Sequence, residues 1–85
     1  MVQKIYVGNL PMNIGNETLA EKFSHYGRVC SAKVIKNLET KSSMGFAFVE
    51  MATPEEAQQA IVHLNGSLIG DRPINVVEAM TPSQP

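Results

Sequence analysis

The sequence holds a single cysteine, Cys30. No disulfide can therefore form within the chain, and a reducing compartment suits it. A lone cysteine of this kind is by default a small, half-buried filler near the start of a strand. No run approaches the ~18 apolar residues that a membrane-spanning helix needs, and no charged-then-apolar leader stands ahead of the first strand. Neither sign of charge dominates, since the formal net charge is −1, so the chain as a whole is no electrostatic magnet for polyanions. Two histidines and one cysteine give no metal-ligand spacing. A glycine-rich phosphate loop and a nucleophile–base pair are missing too, which leaves enzyme chemistry without its parts. The default is an intracellular, cytoplasmic protein, with a nuclear location not ruled out by the sequence. No cofactor, membrane or small-molecule substrate is expected.

What is present describes an ordinary folded domain. Eighty-five residues, 44% hydrophobic and 18% charged, suffice for one modest core. Residues 4–8, KIYVG, alternate Ile5 and Val7 against Lys4 and Tyr6, a half-buried strand. A loop through Asn9, Leu10, Pro11 and Asn13 leads to a helix capped by Gly15 or Asn16, with Glu17 in its first turn and Leu19, Phe23 and Ala20 as its apolar stripe. Gly27 stops that helix. Val29 to Lys36 reads as a second strand, Ala32 and Val34 inward, Lys33 and Ile35 outward. Asn37 to Ser43 is a polar loop, and MGFAFVEM, residues 44–51, a third strand. Thr53-Pro54-Glu55-Glu56 opens a second helix with a capping box. Ala57, Ala60, Ile61 and Leu64 line its inner face, and Asn65-Gly66 ends it. Pro73 to Val77 is the last strand, burying Ile74 and Val76. Residues 1–80 form the domain, and a flexible tail follows from 81 to 85.

The order β-α-β-β-α-β makes an α+β fold, a four-stranded antiparallel sheet with both helices on one face. One sheet face is then bare. In the third strand Ala47, Val49 and Met51 face the core, so Phe46, Phe48, Glu50 and Met44 face outward. Tyr6 shares that outward register on the first strand. With the first and third strands as central neighbours, Tyr6, Phe46 and Phe48 cluster mid-sheet. Large rings on an uncovered face suggest a binding surface, and unpaired bases stack on such rings.

Two stretches carry a specific likeness. Ile5-Tyr6-Val7-Gly8-Asn9-Leu10 and Met44-Gly45-Phe46-Ala47-Phe48-Val49-Glu50-Met51 resemble the hexamer and octamer of the RNA recognition motif family. The resemblance spans about residues 3 to 80. It implies a ferredoxin-like fold of strand order 4-1-3-2 and the binding of single-stranded RNA, or single-stranded DNA, by a monomer that performs no chemistry. It further implies that Tyr6 and Phe48 stack successive bases and that Phe46 lies against the sugars between them. Asn9, Lys33, Ile35, Asn75 and Val77 surround that pair, and the backbone of Val77-Glu78-Ala79 reads base edges.

Two departures from the family pattern matter. Met51 replaces an aromatic, but its register is inward, so it serves as a core filler. Met44 stands where the family has Lys or Arg and takes a cation off the binding face. Gly70-Asp71-Arg72 also exchanges the first two residues of the family's usual turn. Sorted by element, the helices carry −3 and the remainder +2. Lys4, Lys33 and Lys41 are the phosphate-contact candidates, so binding leans on stacking, with about two to four ions released. His25 reads as a helix-end residue and His63 as an exposed one. The competing class is a protein-interaction module on the same fold, against which the retention of all three rings argues.

Overall fold

The computed structural model describes residues 2–79 except Met12 and Ser42. The tail expected over 81–85 lies outside the described residues. The elements run β1 (Gln3–Gly8), α1 (Asn16–Ser24), β2 (Val29–Lys36), β3 (Ser43–Met51), α2 (Pro54–Leu64), β4 (Leu68–Ile69), β5 (Arg72–Pro73) and β6 (Asn75–Glu78). The main sheet has the order β2-β3-β1-β6. All its neighbours are antiparallel, which is the 4-1-3-2 arrangement when β6 is counted as the fourth long strand.

One strand differs from the sequence reading. The stretch read as Pro73 to Val77 is divided: Arg72–Pro73 pairs with Leu68–Ile69 in a separate ribbon, and the main-sheet strand begins at Asn75. Ile69 pairs with Arg72, so Gly70-Asp71 is a two-residue turn, and Gly70 takes the positive φ of +63° that the first position of a II′ hairpin turn demands. The exchange of Asp and Gly thus puts the glycine where the turn needs it.

Alternation builds the core. Ile5 and Val7 of β1, Val34 of β2, Ala47, Val49 and Met51 of β3 and Val76 of β6 are buried with Leu19 and Phe23 of α1 and Ala57, Ala60 and Leu64 of α2 in one cluster. Both helices therefore cover the same sheet face. Met51 is fully buried, a flexible side chain filling core volume. Leu10, assigned to a loop by its neighbours, is fully buried as well. Its N–H donates to the Gly45 carbonyl at 2.9 Å, which ties the β1–α1 loop to the start of β3. Ile61 packs against the core without being enclosed by it. Cys30 is exposed rather than half-buried; it falls between Val29 and Ser31, where the β2–β3 register shifts.

The helix ends follow local chemistry. Gly15 is the N-cap of α1 and supplies no side-chain bond; the Asn16 Oδ1 instead accepts from the Val34 N–H of β2 at 2.8 Å. Thr53 caps α2, accepting the Glu56 N–H at 3.2 Å. The Glu56 carboxylate is met by the Thr53 hydroxyl at 3.3 Å, not by the cap's own amide as in a full capping box. The stem of Glu56 also lies over Gly27, where any Cβ would fall 2.5 Å from the Glu56 Cβ. Gly27 is needed for that close approach of α2, beyond ending α1.

Candidate nucleic-acid interface

Pairing across the sheet places the outward side chains in rows. Tyr6 stands opposite Phe48 on one side and Val77 on the other, and Phe48 stands opposite Lys33. One row thus reads Val77, Tyr6, Phe48, Lys33. The next holds Lys4, Glu50 and Ser31, with Ala79 beside Lys4 through an N–H donated to the Lys4 carbonyl at 2.9 Å. On the other side, Asn75, Gly8 and Phe46 align.

The three rings meet at the centre. Ring centroids of Tyr6 and Phe46 lie 6.0 Å apart at an interplanar angle of 29°. Tyr6 and Phe48 are 5.9 Å apart at 64°, and Phe46 and Phe48 are 6.1 Å apart at 85°. Such offset and edge-on contacts fix each ring's orientation before any ligand arrives. All three are half-buried, each keeping part of its surface for contact. Tyr6 lies across the bare backbone of Gly8: a Cβ there would fall 2.7 Å from the phenolic oxygen and 2.8 Å from a ring carbon.

Polar groups frame the rings. The Lys4 Nζ sits 4.9 Å from the Phe48 centroid, a cation–π contact. Glu50 Oε1 accepts from Ser31 Oγ at 2.8 Å. Lys33 and Asn75 are exposed, and Ile35 is half-buried. Val77 is 47% and Met44 is 54% exposed. Gly45, at φ +85°, interrupts the alternation of β3 just after Met44. Lys41 is exposed at a positive φ of +65° in the β2–β3 loop, away from the rows of the sheet.

Two expected site residues have side chains turned to other work. Asn9, at φ +61°, donates through Nδ2 to the Pro73 carbonyl at 2.7 Å and accepts from Arg72 Nη1 at 3.4 Å. It clamps the end of β1 to the β4–β5 ribbon. Glu78 shares the register of buried Val76, so by strand alternation its side chain leaves from the opposite face. A larger groove of about 730 Å³ runs between α1 and β2, lined by Glu17, Glu21 and Arg28 among others; none of its lining residues offers a ring for a base. Sequence reasoning missed the Ser31–Glu50 bond. Its signal was only that both residues are polar and outward.

An open antiparallel sheet face carries three touching rings, flanked by lysines and backed by two helices, and such rings can take a flat ring of a ligand in stacking contact. Residues 5–75 match the model of the RNA recognition motif, and the chain belongs to that family. It is 44% identical over 73 residues to the 31 kDa chloroplastic ribonucleoprotein of Nicotiana sylvestris, covering 86% of this chain. It spans only 23% of that relative's length. The crystal structure of RNA binding protein PG1 superposes with a TM-score of 0.90 at 39% identity, covering 96% of this chain and 99% of that one. The Rna15 RRM with bound RNA (GU) superposes at 0.84 with 26% identity, covering 95% of this chain and 86% of that one.

Proposed function

We propose that the chain binds single-stranded RNA on its open sheet face and carries out no chemistry on it. Tyr6 and Phe48 stack successive bases, and Phe46 lies against the sugars between them. The observation that carries this reading is the cluster of three rings with centroids 5.9 to 6.1 Å apart on the face that neither helix covers. Only unpaired bases present their π-faces to such a platform. The relatives support the ligand: one is a ribonucleoprotein, and one neighbour carries RNA. Lys4 and Lys33 supply polar contacts beside the rings, and Lys41 a phosphate contact from the β2–β3 loop. Val77 stands beside Tyr6, and Asn75 with the backbone of Val77, Glu78 and Ala79 supplies contacts to base edges.

A monomer of this size contacts few nucleotides, so affinity is of micromolar order. Single-stranded DNA offers the same π-faces and is the ligand to titrate alongside. A protein-interaction role would leave the rings without a purpose on this face. The single cysteine suits a reducing compartment, for which we propose the cytoplasm; the ribonucleoprotein relative is chloroplastic by name.

The test is a Phe46→Ala, Phe48→Ala double variant titrated with fluorescent RNA oligomers. A native-like circular dichroism spectrum and an affinity at least tenfold lower are expected, because each base–aromatic stack is worth about 1–3 kcal/mol. Unaltered affinity would overturn the stacking reading.

A further inference from the structure

On the β2 side of Phe48 the open face is indented by a pocket of about 280 Å³, lined by Lys4, Ser31, Lys33, Ile35, Phe48 and Glu50. Its walls are one ring, one aliphatic side chain, one hydroxyl, two cations and a carboxylate. The carboxylate is the informative member. A pocket for phosphate would exclude it, since like charges repel at contact. Here it is held in place: Ser31 stands opposite Glu50 and donates Oγ–H to Oε1 at 2.8 Å. The two oxygens of a carboxylate offer about four acceptor sites, so one hydroxyl leaves it able to accept more.

We propose that this pocket selects guanine, as the base stacked on Phe48, through Glu50. The inference rests on the stacking reading above and adds the identity of one base. Guanine alone among the four bases presents two adjacent donors, N1–H and N2–H₂, with no acceptor between them, and these match a fixed carboxylate. Adenine and cytosine place a bare ring nitrogen beside their amino group, and uracil flanks N3–H with two carbonyl oxygens. Each offers Glu50 a single donor group, and meeting both carboxylate oxygens would set a lone pair against one of them, a repulsive element of the kind that specificity needs. Guanine's acceptors, O6 and N7, are suited to a lysine, and Lys33 stands directly opposite Phe48. The ring itself stacks any base, so selectivity must come from these edge groups.

The experiment uses the full chain and U-rich RNA hexamers with one central G, A, C or inosine, and an all-U control, titrated by fluorescence anisotropy. The G oligomer is expected to bind about tenfold tighter than the A oligomer, with inosine, which lacks the N2 amino group, in between. Glu50→Gln should bring G and A within about twofold of each other, because an amide can turn to suit either edge. Ser31→Ala, which frees the carboxylate without removing it, should reduce the preference partly. Equal binding of G and A by the natural chain, or a G preference that survives Glu50→Gln, overturns the proposal. If Phe48→Ala still weakens every oligomer in that event, the stacking reading stands alone. If Phe48→Ala changes no oligomer's affinity, or no oligomer binds, both are overturned.

Discussion

Tyr6 lies over Gly8 so closely that a methyl group on Gly8 would meet the phenolic oxygen at 2.7 Å. The contact is along one strand, two residues apart, and it lets the ring lie low on the sheet and against Phe46 at 29°. The obstructed atoms belong to the far end of a mobile side chain, so Gly8→Ala should lift the ring instead of breaking the strand. We expect RNA affinity to fall about three- to tenfold, within the worth of one stack, while the midpoint of thermal unfolding moves little. Titration beside a melting curve checks this. A large drop in melting temperature would place the role of Gly8 in folding.

Met44, two residues before Phe46 in β3, is 54% exposed and stands where the family pattern has a cation. Restoring one by Met44→Lys should tighten binding at low salt and steepen the dependence of log K on log salt by about one unit. Titrations between low and moderate salt read this directly. An unchanged slope would put Met44 outside the path of the nucleic-acid backbone.

Each edge strand of the main sheet has one amide taken up by an asparagine from a helix end. Asn65, after α2, accepts the Val76 N–H of β6 at 3.0 Å, and Asn16, at the start of α1, accepts that of Val34 in β2 at 2.8 Å. Each satisfies an edge amide that would otherwise be a template for pairing. Asn65→Ala should cost about 1 kcal/mol, read by urea unfolding with an unchanged m-value. Asn65→Asp keeps the acceptor and should recover most of the loss. Loss equal in both variants would assign the effect to the end of α2 instead.

The contrast between what the chain shows on its face and what only the fold reveals follows from distance. Ile5, Val7, Ala47, Val49 and Met51 announce their burial through a period of two, and Leu19, Phe23, Ala57, Ala60 and Leu64 through a helical one; all ten are buried. The three rings fall to the other face by the same alternation, so the platform was legible. A two-residue ribbon such as Leu68–Ile69 with Arg72–Pro73 has no period to detect, so only its Pro73 reads as strand, joined to the stretch that runs on to Val77. Leu10 sits among loop-forming neighbours and is buried by its tertiary surroundings. Contacts such as Ser31 with Glu50, Asn9 with Pro73 and Tyr26 stacked on His63 at 5.1 Å join residues far apart in sequence. Their polar or aromatic character is visible one residue at a time, but the pairing is a product of strand register and helix placement.

We assign Lys4 two opposed roles, which salt should separate. Its ammonium lies 4.9 Å from the centre of Phe48, over the ring that we assign to a base, so stacking must displace it. An exposed cation–π contact is worth roughly 0.5–1 kcal/mol, which the incoming base has to offset. Once displaced, the same ammonium is free to meet a phosphate, a gain that shrinks as salt rises. Lys4→Gln should therefore weaken binding at low salt and lower the salt slope by about one unit. At high salt, where the phosphate contact is screened, the uncovered ring should make the variant bind about two- to fivefold tighter than the natural chain. The two titration series should cross. Parallel lines with the variant weaker throughout would show that Lys4 never competes with the base and serves only the phosphate.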